Sequence, residues 1–178
     1  MHSKSDWYAI RVRPRFEKQI AESIASKGIE TFLPLYYARR RWSDRVKQIG
    51  LPLFDGYVFC QADLNHQMPV LSTPGVIHFV GIGKTPEPIE RDEVEALRQI
   101  VEAGSMARPW PFLREGERVR IEDGPLRGVE GILARVGDTD QVVVSVTLLQ
   151  RSVAVQVDRA WLSPMRVWMR PPSGRPAA

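Results

Sequence analysis

The hydrophobic pattern of this chain changes abruptly near residue 104, and the change divides the chain into two parts. Residues 1–103 alternate strand-like segments with amphipathic helices, which favours an α+β domain. Residues 113–166 hold short β-branched segments separated by glycine turns, which favours a small closed all-β barrel. Small residues and prolines predict a flexible linker at 104–112 and a disordered tail at 167–178.

The first part predicts helices packed on an antiparallel sheet, an α/β sandwich, with a projecting β-hairpin. Apolar residues at every third or fourth position predict one helix around Ile20 and another around Leu97. Alternating residues predict strands at 7–12, 56–60 and 76–80. β-formers followed by a basic return predict the hairpin at 31–47.

Composition excludes several classes of protein. The 178 residues carry a net charge of +4, and the longest apolar stretches have only strand length, so no segment is predicted to span a membrane. The N-terminus has no apolar secretory region, which predicts a cytoplasmic protein. One cysteine cannot form an internal disulfide framework or a multi-cysteine zinc site. We predict no metal and no cofactor.

The sequence offers little for catalysis. Cys60 could form a nucleophilic dyad with either His66 or His78. Nothing in the sequence places an orienting acid or oxyanion donors beside such a pair. Cys60 lies in an apolar alternating run, where a buried small hydrophobe is the better interpretation. We predict no catalytic residue, and a small cysteine hydrolase stays as the alternative from another class.

The predicted hairpin concentrates positive charge. Its cations and aromatic residue are Arg39, Arg40, Arg41, Trp42, Arg45 and Lys47. Such a hairpin can neutralise backbone phosphates while the indole stacks on an unpaired base. A charged edge hairpin that resists aggregation is an equally good interpretation of these residues alone.

Tyr57 and Phe59 share one face of their predicted strand because they are two residues apart. Ile82 and Val94 lie near that face if the strands and the second helix pack as expected. These four residues are either ordinary core or, if Val58 fills the core from the opposite face, an exposed aromatic patch.

Several segments together resemble one family. Trp7-Tyr8-Ala9-Ile10, the run from Leu51 to Phe59 and the run from Thr73 to Val80 resemble the N-terminal domain of NusG-type transcription elongation factors. Glu117 to Gly131 is similar to the KOW motif of that family, an SH3-like barrel. The resemblance covers residues 5–166.

The resemblance implies a monomeric factor that binds RNA polymerase during elongation and modulates pausing and termination. It implies that the first domain binds the clamp helices of the β′ subunit and spans the cleft toward the β subunit. The hairpin falls where the family approaches upstream or non-template DNA. The residues that match the family's polymerase-binding patch are Tyr57, Phe59, Ile82 and Val94.

The resemblance also implies that the barrel recruits a second partner, the ribosomal protein NusE or the terminator Rho. The matching loop residues are Leu148, Leu149, Gln150 and Arg151. Leu149 stands where general NusG proteins usually carry an aromatic residue, which weakens the assignment to Rho and favours a specialised antitermination paralog. A KOW-containing ribosome- or RNA-binding protein is the alternative.

The pattern of the second domain also bears on its conformation. Residues 142–146 and 153–157 are β-branched with period two, a pattern poorly suited to a helix. We therefore expect a constitutive five-stranded barrel that is tethered rather than docked and leaves Tyr57 and Phe59 uncovered.

Overall fold

The computed structural model describes residues 5–42, 45–112, 116–136 and 138–165, with the side chains of 40–42 and 136 excluded. The predicted tail at 167–178 lies outside the described residues. The first domain contains strands β1 to β8 and helices α1 to α3. In chain order these are β1 Asp6–Val12, α1 Glu17–Ala25, β2 Thr31–Phe32, β3 Leu35–Trp42, β4 Arg45–Pro52, β5 Tyr57–Ala62, α2 Met68–Leu71, β6 Val76–Phe79, β7 Gly81–Ile82, β8 Thr85–Pro86 and α3 Arg91–Glu102.

The central sheet of the first domain has the strand order β2-β5-β1-β6, with antiparallel pairing throughout. β1 and β5 pair along their length, and Ile10 lies opposite Val58. Helix α1 packs on this face through Ile20 and Ile24, which are 2% and 0% exposed. The alternating pattern in the sequence therefore predicted both strands, and the helical period predicted the helix that covers them.

The basic hairpin forms a two-stranded sheet of its own. β3 and β4 pair antiparallel over eight positions, from Leu35 opposite Pro52 to Trp42 opposite Arg45. The predicted hairpin is confirmed, although the side chains of Arg40, Arg41 and Trp42 lie outside those the structure describes.

The second domain, which we call the barrel, is a six-stranded antiparallel sheet. Its strands are β9 Ala107–Trp110, β10 Arg118–Ile121, β11 Glu130–Val136, β12 Thr139–Val146, β13 Arg151–Gln156 and β14 Leu162–Pro164. They follow the order β14-β10-β11-β12-β13-β9. The α+β fold class with a small all-β domain is thereby confirmed.

Strand β9 corrects the expectation of a flexible linker and of five strands. It occupies the middle of 104–112 and pairs with β13, with Pro109 opposite Val153. Proline lacks an N–H and is accepted here because β9 is the edge strand of the order above. Backbone pairing with an open edge does not require an alternating side-chain pattern, so this segment carries no strand signal in its sequence.

Helix α3 belongs to both domains. Val94 and Leu97 are fully buried in a cluster with the central sheet. Ile100, also 0% exposed, packs with the barrel residues Val119 and Val142. A single amphipathic helix thus contributes to two hydrophobic cores. No helix in the described part of the chain is long and apolar enough to cross a membrane.

Candidate functional site

The face of β5 that carries Tyr57 and Phe59 points away from α1. Val58 and Cys60, on the opposite face, fill the core under α1, as the alternation of the strand predicts. Phe59 is 0% exposed and meets Phe54 edge to face, with ring centroids 5.7 Å apart. The aromatic face is therefore covered, and the identity of its cover decides what the face can do.

Two different parts of the chain cover this face. Helix α3 supplies Val94 and Leu97 from the first domain. The barrel supplies Val146, Leu149 and Val153 to the same contiguous cluster. We call these five residues and Phe59 the interdomain cluster, because the barrel is docked on the first domain through them.

Tyr57 lies at the rim of the interdomain cluster, half-buried. The Arg11 guanidinium lies 4.7 Å from the centroid of its ring, and the Arg151 guanidinium lies 5.6 Å from it. Arg11 comes from β1 and Arg151 from the barrel. The contact with Arg151 therefore joins the two domains, whereas the contact with Arg11 lies within the first domain. A cation–π contact contributes roughly 0.5–1 kcal/mol at partly exposed sites.

Polar contacts along α3 complete the docking. The Glu93 carboxylate accepts hydrogen bonds from the backbone N–H of Thr147 at 3.1 Å and from its hydroxyl at 2.8 Å. Near the other end of the helix, Gln99 Nε2 donates to the carbonyl of Arg127 at 2.8 Å. α3 is therefore held to the barrel at two separated points.

The expectation of a tethered barrel that leaves Tyr57 and Phe59 uncovered is wrong. The β-branched periodicity correctly predicted barrel strands, but it carries no information about the loop that follows β12. That loop carries Leu148 and Leu149, and Leu149 is only 7% exposed because it packs into the interdomain cluster.

The four residues matched to the polymerase-binding patch are therefore not equivalent in this structure. Phe59 and Val94 are fully buried together, and Tyr57 lies beside them. Ile82 is 71% exposed at the end of β7, where it pairs with Thr85 of β8, and it does not belong to the interdomain cluster.

The four residues of the predicted barrel loop are also divided between the interface and the surface. Leu148 and Leu149 contact the first domain, whereas Gln150 and Arg151 are exposed. Gln150 has a positive φ of 51°, and its side chain donates to the Thr147 carbonyl, which closes the turn. The loop and the aromatic face thus cover each other.

The basic hairpin keeps its predicted cations at the surface where they are described. Arg39, Arg45 and Lys47 are exposed along the two strands. Tyr37 and Val46 are exposed apolar residues on the same hairpin, at 67% and 62%. Sequence reasoning missed these two as surface residues, because an apolar side chain in a strand is normally assigned to a core.

The structure argues against a cysteine nucleophile. Burial raises the pKa of the Cys60 thiol to about 12, which opposes formation of the reactive thiolate. Nδ1 of His66 lies 2.9 Å from Asp63 Oδ2, and Nδ1 of His78 lies 2.9 Å from the Phe79 carbonyl. Neither contact involves Cys60. Among the described residues, no group of His, Cys, Asp or Glu side chains is arranged to hold a metal.

Sequence reasoning missed the residues that lock the two domains. Glu93 was visible as an acidic residue in the first turn of α3, where it stabilises the helix dipole, but its barrel partner Thr147 lies far along the chain. Long-range contacts of this kind leave no local sequence signal.

Comparisons with known proteins agree on one family. The family described as "Transcription termination factor nusG" matches residues 5–98, more than half of the chain. The transcription termination/antitermination protein NusG of Buchnera aphidicola is 30% identical over 169 residues, which cover 87% of this chain and 93% of that protein. The NusG of Thermus thermophilus is 28% identical over 177 residues, which cover 86% of this chain and 95% of that protein.

A solved structure supports the fold independently. The structure described as "Domain interaction in Thermotoga maritima NusG" has a TM-score of 0.58 at 20% identity and covers 92% of this chain and 98% of that chain. The family match includes the central sheet and most of α3, and the relatives align along most of the chain. The protein therefore belongs to the NusG family of transcription termination and antitermination factors.

Proposed function

We propose that this NusG-family protein binds RNA polymerase through the face formed by Tyr57, Phe59 and Val94, and that it modulates pausing and termination by binding alone. The observation that carries the proposal is that this face is covered by a second folded unit rather than by its own domain alone. A cover of that kind can leave without unfolding the sheet beneath it.

Release of the barrel would expose apolar side chains on the first domain. A contiguous exposed apolar surface is the usual mark of a protein-binding site, since water solvates it poorly. In this proposal the clamp helices of the β′ subunit would replace the barrel on this face. The exposed Ile82 would extend the contact, and the far side of the domain would face the β subunit.

The basic hairpin supplies the proposed contact to upstream or non-template DNA. Arg39, Arg45 and Lys47 are exposed on a hairpin whose two strands form a sheet separate from the central one. Positive charge on such a hairpin attracts backbone phosphates without selecting a sequence. Arg40, Arg41 and Trp42 stay in this proposal on the sequence alone.

The loop with Leu148, Leu149, Gln150 and Arg151 is the proposed site for the second partner. Since Leu149 is not aromatic, the ribosomal protein NusE fits this proposal better than Rho. In the docked arrangement Leu149 and Phe59 are buried, and Leu148 and Tyr57 are partly buried, so a partner cannot reach either surface in full. Each partner would therefore favour binding of the other by holding the domains apart.

No catalytic step is part of this proposal. The protein would act as a monomer in the cytoplasm, where polymerase works, without a cofactor. A specialised paralog and a general factor would share this mechanism and differ in recruitment.

The test measures binding of the full-length protein to purified core RNA polymerase without nucleic acid. Tyr57→Ala removes a half-buried aromatic at the rim of the face, and truncation of such a residue typically costs about 2 kcal/mol or more of binding. The same substitution also loosens the barrel, which would favour binding, but the single cation–π contact to the barrel, from Arg151, is worth less. We expect a net decrease in affinity of about tenfold.

The matched control is Tyr37→Ala, which removes the same side chain from the exposed hairpin. It should leave affinity for core polymerase unchanged. Equal affinities of the wild type and Tyr57→Ala would refute the assigned face. Binding to ribosomes or ribosomal RNA, but not to polymerase, would favour the KOW-type RNA-binding alternative.

A further inference from the structure

A groove of about 620 Å³ lies between α3 and the barrel. Its floor is partly apolar, with Ile132 from β11, Val143 from β12 and Val129 from the turn before β11. Its volume falls in the range of sites that hold a small ligand or a few side chains. Tyr57 and Phe59 do not line it, so the groove is distinct from the interdomain cluster, although α3 borders both.

Negative charge dominates the wall of this groove. The acidic residues that line it are Glu90, Asp92, Glu93, Glu95 and Glu130, and the one cation lining it in the described part of the chain is Arg118. Nη2 of Arg118 itself lies 3.9 Å from Oε2 of Glu130. The Glu93 carboxylate accepts a hydrogen bond from Thr147, and Glu130 forms an ion pair with Arg120. Asp92 and Glu95, in contrast, are exposed. The groove therefore suits a positively charged, partly apolar segment.

The chain itself provides a segment of that composition. Residues 166–178 contain Arg166, Arg170 and Arg175 with no acidic side chain. Val167, Trp168 and Met169 form an apolar run between two of the arginines. The segment is thus opposite in charge to the groove wall, and its apolar run matches the apolar floor.

The last described residue places the start of this segment at the groove. The Met165 N–H donates to the Arg118 carbonyl at 2.8 Å, and Arg118 lines the groove. An extended chain spans about 3.3 Å per residue, whereas a helix rises about 1.5 Å per residue. The 13 residues that follow Met165 can therefore reach any point along the 12-residue helix α3.

We propose that the C-terminal segment 166–178 binds in this groove, with its arginines against Asp92 and Glu95 and its apolar run against Ile132 and Val143. The segment would then contact both domains at once and hold the barrel against α3. This proposal does not depend on the identity of any transcription partner.

The test places a nitroxide spin label on the full-length chain at Ser173→Cys and records amide resonances by NMR. Cys60 is 0% exposed, so labelling is directed to the new cysteine. We expect the amide signals of Glu95, Gln99 and Ile132 to decrease in intensity, and that of Glu22 on the exposed face of α1 to keep it. We expect this broadening to disappear at high salt, because screening weakens exposed charge pairs.

Charge reversal in the groove provides the matched variant. Asp92→Lys with Glu95→Lys should abolish the broadening at Gln99 and Ile132. The control, Glu102→Lys with Glu22→Lys, makes the same charge change outside the groove and should preserve it. A wild-type chain without broadening in the groove, or broadening that is unaffected by reversal of Asp92 and Glu95, would overturn the proposal.

A mixed sample distinguishes a segment that binds the groove of its own chain from one that binds the groove of a second copy. Isotope-labelled protein without a nitroxide is combined with spin-labelled protein without isotopes. Broadening at the groove in this sample would show that the segment comes from a second copy of the chain, which also contradicts the proposal. No intermolecular broadening is expected.

Discussion

Phe59 and Tyr57 are two residues apart on one strand face, yet the structure gives them different environments. Phe59 is fully buried against Phe54 and the interdomain cluster, while Tyr57 is half-buried between two guanidinium groups. Phe59 therefore contributes mainly to stability. Tyr57, in contrast, becomes available to a partner as soon as the barrel moves.

Phe59→Ala should therefore destabilise the protein much more than Tyr57→Ala. Truncation of a fully buried phenylalanine costs about 3–5 kcal/mol, because apolar burial is removed and a cavity stays behind. Tyr57→Ala removes the burial of part of one side chain and two cation–π interactions, about 1–2 kcal/mol together. Urea unfolding followed by circular dichroism measures both. Equal destabilisation would mean that the packing around Phe59 is not what the structure shows.

At the scale of elements, local pattern predicted most of what was found. The residues of β1, α1, β5 and α3 follow period two or period 3.6, and each element formed where the pattern indicated. The pattern also assigned Tyr57 and Phe59 to one face and Val58 to the other. These are consequences of backbone geometry, which the sequence expresses within a few residues.

The pattern could not predict which elements pack against each other. β9 forms because the open edge of β13 accepts its backbone, although Ala107 and Pro109 are poor strand formers. The cover over Phe59 includes Leu149, which lies in the other domain, far along the chain. An apolar face indicates that it needs a cover, but periodicity does not distinguish a partner protein from another part of the same chain.

The hairpin yields a prediction about salt. For B-DNA, removing one phosphate contact reduces the slope of log affinity against log salt by about 0.9. Replacing Arg39, Arg40 and Arg41 by alanine should therefore flatten the salt dependence of DNA binding by up to about 3 in this slope. Titrations of an upstream duplex at several salt concentrations, with the variant and the wild type, measure the slope.

The control for the hairpin variant removes three arginines elsewhere on the surface, Arg91, Arg127 and Arg135. This control changes the net charge by the same amount as the hairpin variant. It should keep most of the slope of log affinity against log salt. A slope that responds equally to both variants would assign the effect to net charge and leave the hairpin as a solvated edge.

At the scale of the whole molecule, the docked barrel sets the balance between closed and open arrangements. Leu149 belongs to the interdomain cluster and not to the barrel's own core. Leu149→Ala should therefore weaken docking, by about 2 kcal/mol at the low end of buried leucine truncations, while the barrel stays folded. If opening precedes polymerase binding, apparent affinity should rise about tenfold or more, because it scales with the open fraction.

Affinity for core polymerase and the NMR shifts of the barrel together check this expectation. Gln156→Ala, an exposed position at the end of β13, is the control and should change neither. An unchanged affinity in Leu149→Ala, with the barrel shifts showing undocking, would mean that the barrel does not regulate access to the face.

The pairing of β9 with β13 also limits how far the barrel can travel once it is released. Because β9 moves with the barrel sheet, the connection from Glu102 to Ala107 consists only of residues 103–106, a distance of about 17 Å when fully extended. The barrel would therefore swing about a short hinge near Gly104, whose φ is +61°. Anything carried by the barrel loop would stay within a few nanometres of whatever occupies the vacated face, which corresponds to a local concentration in the millimolar range.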